Sequence, residues 1–187
     1  MRVKYNAPVI LGFTIMCALL LLLSQTVMRG LVSTWFTVSG RGGFDPSSPR
    51  SWFTLFSHVM GHADWNHFIS NFAFILLLGP LLEESYGAAS LLIMMAVTAL
   101  VTGILNVLLF PGGLLGASGI VFMMILLASF TNFSRGEIPL TFILILLIYL
   151  GREIIHSFDT NNISEFAHIV GGFCGSLFGF FRPARSK

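Results

Sequence analysis

Long, nearly uninterrupted stretches of apolar residues dominate the hydrophobic pattern of this chain. A membrane-spanning helix needs roughly 20 mostly apolar residues. Six stretches have this character, namely 8–28, 67–86, 89–110, 117–132, 139–157 and 166–182. The pattern therefore predicts an all-α, polytopic membrane protein, a bundle of six transmembrane helices. Too few residues remain for a second domain, so we expect a single membrane-embedded domain over 1–187.

The connection between the first two predicted spans, 29–66, is the one long link. A structureless connection of that length is uncommon in a compact protein. It carries many aromatic residues among Gly, Ser and Pro: Trp35, Phe36, Phe44, Trp52, Phe53 and Phe56. Aromatic side chains with a polar edge favour the headgroup region. We predict a partly helical segment that lies along the membrane interface; the alternative is an ordinary exposed loop.

Composition and charge exclude several classes of protein. Hydrophobic residues make up 55% of the chain and charged residues only 10%, and the mean hydropathy is +0.86. Such a chain cannot cover a water-facing surface of its own size. An ordinary soluble enzyme, a nucleic-acid-binding module and a disordered tail are therefore excluded. The net charge of +2 indicates no electrostatic partner, and we expect the lipid bilayer itself as the main surrounding.

The distribution of basic residues predicts the orientation. An even number of spans places both termini on one side. Six basic residues then lie on the terminal side and four on the other, the latter being Arg29, Arg41, Arg50 and Arg152. Since cytoplasmic loops carry the excess of Lys and Arg, we predict that both termini are cytoplasmic.

Three polar clusters interrupt the apolar stretches, where polar groups need a partner or a function. Gly116-Ala117-Ser118-Gly119 opens the fourth span and Ala167-His168 opens the sixth. His58, His62, His67 and Asn71 run into the second. In the predicted orientation all even-numbered spans run from the outside inwards, so the three clusters share one depth. They are expected to form one site near the extracytoplasmic surface.

Ser118 and His168 suggest nucleophilic chemistry. A lone membrane serine usually bonds to its own backbone or to a neighbouring helix. Here Gly116 and Gly119 permit close approach, and a helix start directs free N–H groups at its surroundings. A lone histidine is more often structural, but neutral imidazole can accept a serine proton. The glycines after His168 (Gly171, Gly175 and Gly179) favour close packing, which brings the two residues together only if the fourth span is the neighbour.

Two further positions complete the candidate site. His67 and Asn71 are spaced i, i+4 on one helix face, where they could donate to developing negative charge; the alternative is hydrogen bonding between helices. The carboxylates nearest His168 in sequence belong to the outer loop, so we predict a Ser/His dyad without a third residue. Phe122, one turn after Ser118, is expected to stack on the imidazole.

These motifs resemble those of the rhomboid intramembrane serine proteases. Gly116-Ala117-Ser118-Gly119 matches their G-x-S-G signature, Ala167-His168-x-x-Gly171-x-x-x-Gly175 their A-H-x-x-G-x-x-x-G motif, and His67-x-x-x-Asn71 their H-x-x-x-N element. The segment from Leu78-Gly79 through Glu83 to Gly87 is also similar to the family's pattern. The resemblance covers almost the whole chain, as a minimal six-span rhomboid core.

The resemblance implies that Ser118 and His168 are the catalytic dyad and that Asn71 and His67 stabilise the oxyanion. It also implies transmembrane protein substrates, a bacterial-type plasma membrane, and no metal or cofactor. Two positions depart from the family. The position four after the serine is often Tyr and is Phe122 here, and the usual adjacent Trp-Arg pair is missing because Ser51 separates Arg50 from Trp52.

Three other functions compete with this interpretation. A zinc protease would use His58, His62 and His67, but no H-E-x-x-H occurs. A rhomboid-like protein that binds transmembrane helices without cutting them is the main alternative, although its typical loss of Ser or His is not seen. A transporter is disfavoured because no acidic residue lies mid-span and no inverted repeat is visible.

Overall fold

The structure, a computed structural model, describes residues 6–130 and 162–181 and four single positions between them, 140, 143, 144 and 147. The two continuous stretches contain seven α-helices: α1 Pro8–Thr26, α2 Leu31–Trp35, α3 Pro49–Ser57, α4 Trp65–Tyr86, α5 Ala88–Leu109, α6 Ser118–Phe130 and α7 Asn162–Phe181. A short 3-10 turn, His58–Met60, follows α3. Extended pairing in these stretches is limited to one antiparallel bridge between Val38 and Leu114.

Three of these helices, α1, α4 and α5, are long and apolar enough to cross a membrane. α6 and the apolar part of α7, Phe166–Phe181, are shorter apolar helices within the described residues. Helices therefore occupy five of the six predicted stretches, while the predicted fifth span, 139–157, falls outside the described residues except at the four single positions. α7 begins before the predicted start at 166 because its first turn is polar and carries no hydropathy signal.

The long segment between α1 and α4 is partly helical, as predicted. α3 is amphipathic: Ser51, Thr54 and Leu55 are buried, whereas Trp52, Phe53 and Phe56 are exposed. The rings of Trp35 and Phe53 meet edge to face, with 6.2 Å between centroids, and join α2 to α3. Together these side chains form an apolar surface outside the helix bundle. This segment therefore has an inward side of mixed small polar and apolar side chains and an outward side that is aromatic.

α4 holds the N-terminus of α1 through a buried carboxylate. The first-turn N–H groups of a helix lack intrahelical acceptors, and α1 has no side-chain cap of its own. Glu83 supplies the acceptors: Oε1 and Oε2 bond to the backbone N–H groups of Val9 and Ile10, each at 3.1 Å. Gly79, one turn earlier in α4, leaves room for the Ile10 side chain, which a Cβ would meet at 2.6 Å. The two helices are thereby fixed in register.

α6 and α7 share the most extensive helix–helix interface of the described residues. Three glycines of α7 make this approach possible. A Cβ on Gly171 would collide with the backbone carbonyl of Gly119, and one on Gly175 with that of Met123. A Cβ on Gly179 would strike the ring of Phe130. Small residues let membrane helices approach closely. The sequence left the partner of the glycine ladder open, and the structure shows that it is α6, the helix that begins at Ser118.

Candidate active site

Ser118 lies at the first position of α6, directly after a tight connection from α5. Gly116 adopts φ +113°, which a side chain would strain, and its N–H donates to the carbonyl of His58 at 2.9 Å. The carbonyl of Ala117 accepts from the N–H of Val121 at 3.0 Å and so begins the helix. The amides from Ser118 onward are first-turn groups that point away from the helix. The half-buried serine therefore sits among available N–H donors.

Two sets of hydrogen bonds join the connection before Ser118 to the long segment between α1 and α4. Val38 and Leu114 exchange two backbone hydrogen bonds of 3.0 Å each. The amide Nδ2 of Asn106, near the end of α5, donates to the carbonyls of Ser39 at 3.2 Å and Gly112 at 3.1 Å. Asn106 is buried. Its side chain thus ties α5, the long segment and the approach to Ser118 together.

α4 brings His67 and Asn71 against the same connection. Asp64 caps α4 by accepting from the backbone N–H of His67 at 2.8 Å, which fixes the turn that carries this histidine. A Cβ built on Gly116 would lie 2.6 Å from Nε2 of His67 and 3.8 Å from Nδ2 of Asn71. Both nitrogens therefore face the backbone two residues before Ser118.

The side-chain amide of Asn71 is buried and carries an unused donor. Asn71 is only 6% exposed, and its Nδ2 has no hydrogen-bond partner among the described residues. Leaving a buried donor unpaired costs about 1–3 kcal/mol. The unpaired N–H of Asn71 is explained if it donates to an oxygen of a bound substrate.

His168 lies in the first half of α7 and contacts α6 through its ring. Phe122 and His168 stack in parallel, with 4.3 Å between centroids and 6° between ring planes, so the predicted stacking is confirmed. Gly119 is close enough that a Cβ there would lie 3.4 Å from the carbonyl oxygen of Ala167. The residues flanking Ser118 and His168 are thus in contact across the α6–α7 interface.

His58 and His62 support the site from behind. Nδ1 of His58 lies 3.2 Å from the carbonyl of Thr54, and Nε2 lies 3.3 Å from the hydroxyl of Thr102 in α5. In the neutral ring, Nδ1–H donates to the Thr54 carbonyl and Nε2 is the acceptor that faces Thr102, whose hydroxyl proton is shared with the carbonyls of Thr98 at 2.8 Å and Ala99 at 3.0 Å. Burial lowers the pKa of His58 to about 4, so this ring is neutral at pH 7.

The ring of His62 packs edge to face against that of His67, with 5.0 Å between centroids. Burial, and then the charge of His67, lower the pKa of His62 to about 4. Nδ1 lies 3.3 Å from the carbonyl of Met60, while Nε2 has no partner in the part of the chain that the structure describes. His62 therefore acts as a neutral ring that backs His67. Across the same described residues, no group of three His, Cys, Asp or Glu side chains could hold a metal ion.

Comparison with known proteins agrees with this geometry. The family model for the Rhomboid domain matches residues 49–185, which include every residue of the candidate site. The chain belongs to the rhomboid family. It is therefore an integral membrane protein, in keeping with its apolar helices.

Two rhomboid relatives are similar to this chain at low identity. "Rhomboid protease GlpG" of Haemophilus influenzae is 24% identical over 127 residues, which are 66% of this chain and 66% of that protein. "Rhomboid-like protein 11, chloroplastic" of Arabidopsis thaliana is 27% identical over 131 residues, which are 69% of this chain and 44% of that protein. The chain thus spans just under two thirds of one relative and less than half of the other.

Sequence reasoning placed Ser118, His168, His67 and Asn71 in one site formed by three clusters. In the structure of this rhomboid chain, α6 packs against both α4 and α7, with Gly116 facing His67 and Asn71 and Gly119 facing Ala167. Sequence reasoning missed Asn106 and Thr102, which hold the surrounding backbone and His58. The available signal was their polarity: Thr98, Thr102 and Asn106 recur at four-residue spacing on one face of the apolar α5. It also assigned no task to Glu83, whose position within a span was the corresponding signal.

Proposed function

We propose that this rhomboid-family chain is an intramembrane serine endopeptidase that hydrolyses peptide bonds of membrane-protein substrates in or near their transmembrane segments. Ser118 is the nucleophile and His168 the general base. The observation that carries the proposal is the stack of Phe122 on His168, which holds the imidazole one helical turn from Ser118 at the crossing of α6 and α7. Nucleophile and base on two closely packed helices are what such a dyad requires.

In the first step, the hydroxyl oxygen of Ser118 attacks the carbonyl carbon of the scissile bond. A bond forms between Oγ and that carbon, the Oγ proton passes to His168, and the carbonyl electron pair moves onto oxygen. No carboxylate orienter is part of the proposal. The ring stack with Phe122 takes over the orienting task, because a ring in face contact can rotate only by losing that contact.

The negative oxygen is stabilised by donors that already face the backbone before Ser118. Nδ2 of Asn71 has a free proton, and the ring of His67 lies beside it against Gly116. The first-turn N–H of Ser118 adds a backbone donor. Preorganised donors in a water-poor site are worth far more than the same groups in water.

The intermediate then collapses and the enzyme is regenerated. The carbon–nitrogen bond breaks, and His168 returns its proton to the leaving amine. Water then attacks the carbonyl carbon of the acyl-serine ester, and His168 accepts its proton. The bond from that carbon to Oγ of Ser118 breaks, His168 returns the proton to Oγ, and the carboxylic acid product is released. The same two side chains therefore serve both halves of the reaction.

The proposal includes the placement of the chain in the membrane. Six spans in a single domain put both termini in the cytoplasm and open the site to the extracytoplasmic side of a bacterial-type plasma membrane. The convergence of the His67, Ser118 and His168 elements at one end of their helices supports it. An even span count and the excess of basic residues on the terminal side also support it.

The test is cleavage of a single-span model substrate by the purified, reconstituted chain, with labelling by a fluorophosphonate probe. Ser118→Ala and His168→Ala should each abolish cleavage, because nucleophile and base act as a unit. Ser129→Ala is the matched control in the same helix, since its hydroxyl donates to the carbonyl of Ile125 one turn earlier; it should cleave normally. Cleavage by Ser118→Ala at the wild-type rate would refute the proposal.

The main alternative is a rhomboid-like protein that binds transmembrane helices without cutting them. In that case the wild-type chain would neither label with the probe nor cleave the substrate, yet would still co-purify with it. Labelling of the wild type that disappears in Ser118→Ala distinguishes the two functions.

A further inference from the structure

A polar cavity of about 290 Å³ is lined by residues of the long segment and by Gly113, and Ser118 is not part of its lining. It is bordered by α2, α3 and the connection before α6 and is open on one side, where Arg50 is exposed. Its lining consists mainly of hydroxyl side chains and glycine backbone, with Arg50 as the only charged residue. The volume lies at the lower end of the range of small-ligand sites.

Three of the lining hydroxyls, those of Ser33, Thr37 and Thr54, donate to backbone carbonyls, whereas Arg50 and Ser51 offer donors to the cavity. Arg50 forms no ion pair with a carboxylate of the described residues, and Asp45 in the same loop instead accepts from the N–H and hydroxyl of Ser47. Ser51 is buried and its oxygen accepts from the N–H of Asp45 at 3.2 Å, which leaves its own proton uncommitted. A guanidinium beside a free hydroxyl donor fits an anion with several acceptor oxygens.

The surroundings of the cavity select among anions. The two helices that border it carry exposed aromatic rings: Trp52, Phe53 and Phe56 on α3 and Trp35 on α2. Exposed aromatic rings of this kind belong at the level of the lipid headgroups. A phosphodiester carries a single negative charge, which the single guanidinium neutralises, whereas inorganic phosphate carries about one and a half at pH 7.

We propose that this cavity binds the headgroup phosphate of an anionic phospholipid. Arg50 and Ser51 bind the phosphate oxygens, the hydroxyls of Thr34 and Ser39 bind a polyol headgroup, and the acyl chains lie along Trp35 and Phe53. A choline or ethanolamine headgroup would bring a second cation near Arg50, so phosphatidylglycerol is the lipid chemistry that fits. The proposal rests on the membrane location of the chain and not on protease activity.

Binding there would stabilise the approach to the candidate active site. The cavity is lined by Val38, Ser39 and Gly113. Val38 is paired with Leu114, and Asn106 joins Ser39 to Gly112. A bound headgroup would therefore fix both sides of the connection that leads to Gly116 and Ser118.

The experiment uses the tryptophans of the full chain in phosphatidylcholine vesicles. All three tryptophans, Trp35, Trp52 and Trp65, lie in or next to this segment. Quenching by brominated phosphatidylglycerol, compared with brominated phosphatidylcholine, gives the relative affinity of the two lipids. Arg50→Gln should lower the preference for phosphatidylglycerol by about tenfold, the effect of losing one charge-assisted contact, and Arg50→Lys should lower it less.

Arg41→Gln is the matched control, because Arg41 is an exposed arginine of the same segment that does not line the cavity. It should leave the preference unchanged. Equal losses in Arg41→Gln and Arg50→Gln would mean general attraction to an anionic surface and would overturn the proposal. Displacement of the brominated lipid by inorganic phosphate, but not by sodium chloride of the same ionic strength, would show a free-anion site instead and would also overturn it.

Discussion

Phe122 and His168 lie face to face, with ring planes 6° from parallel and centroids 4.3 Å apart. Phe122 is four residues after Ser118 in α6, so the ring that orients the imidazole and the nucleophile share one helix face. The distance between base and nucleophile therefore depends on one short piece of helix and one aromatic contact.

The first prediction removes that contact. Phe122→Leu keeps an apolar side chain but removes the aromatic ring that contacts the imidazole. We expect kcat to fall by roughly three- to tenfold, the range for the loss of one aromatic pair, with KM little changed. Phe122→Tyr keeps the ring and should stay close to the wild-type rate. Equal rates for Phe122→Leu and Phe122→Tyr would show that the stack does not position His168.

The second prediction concerns the α6–α7 interface. Gly171→Ala should destabilise the chain by about 1–3 kcal/mol, since its Cβ collides with the Gly119 backbone and neither helix can yield without repacking. Gly172→Ala is the matched control: its Cβ would lie 3.6 Å from the Leu126 side chain, an ordinary contact. Helix propensity favours alanine in both variants by about 1 kcal/mol.

Thermal unfolding in detergent should therefore separate the two neighbours, with a lower midpoint for Gly171→Ala and an unchanged or higher one for Gly172→Ala. If both variants unfold together, the close backbone approach of α6 and α7 is not what holds them.

Contacts between residues on one helix face could be predicted from the sequence. Gly171, Gly175 and Gly179 repeat every four residues, so their common face was readable without a structure. The same holds for His67 with Asn71 and for Ser118 with Phe122, because helical spacing alone puts each pair on one side. The motifs did not decide which helix packs against these glycines. The contact of Gly171 with Gly119 shows that it is α6.

Contacts between residues far apart in sequence were not predictable. Val38 pairs with Leu114, and Glu83 caps the N-terminus of α1 at Val9 and Ile10. Neither pairing can be read from a local pattern, because the hydrophobic pattern of each segment is compatible with several different partners. The predicted fifth span and the orientation of the termini remain predictions.

The third prediction is a dependence of stability on pH. The pKa values of His58 and His62 fall from an ordinary 6.5 to about 4 because burial disfavours the charged rings. Between pH 6.5 and 4 the unfolded chain binds more protons than the folded chain, so stability falls as the pH is lowered through this window and is level above it. Each ring contributes up to about 3 kcal/mol of this loss.

Chemical unfolding in detergent from pH 8 to pH 4 measures this slope. His62→Gln removes one titrating ring and should reduce the slope between pH 6 and pH 5 by about one proton, whatever its effect at pH 7. An unchanged slope would mean that His62 is protonated in the folded chain.

The fourth prediction tests the proposed orientation with a matched pair of cysteines. Ala63 and Ala89 are both exposed and lie just beyond opposite ends of α4. The native Cys17 and Cys174 are buried and give little background. Ala63→Cys should react with an impermeant thiol reagent in intact cells, and Ala89→Cys only after permeabilisation. The reverse result would put the Ser118 end in the cytoplasm.

The last prediction separates oxyanion stabilisation from the dyad. Negative charge develops on the substrate oxygen only towards the transition state, so its donors affect kcat more than KM. Asn71 is buried with an unused Nδ2 donor near Gly116. Asn71→Ala should lower kcat by roughly 10- to 1000-fold, the range for single oxyanion donors.

The Ser118 N–H remains in that variant, so activity should fall without vanishing, and fluorophosphonate labelling should persist in part. His67→Ala should act in the same direction. If both side chains donate to one oxygen, the double variant should lose less than the product of the single losses. Asn106→Ala is the structural control: it loses two backbone contacts and should lower the unfolding midpoint. Should Asn71→Ala behave like it, less stable but with unchanged kcat, then Asn71 joins helices and is not an oxyanion donor.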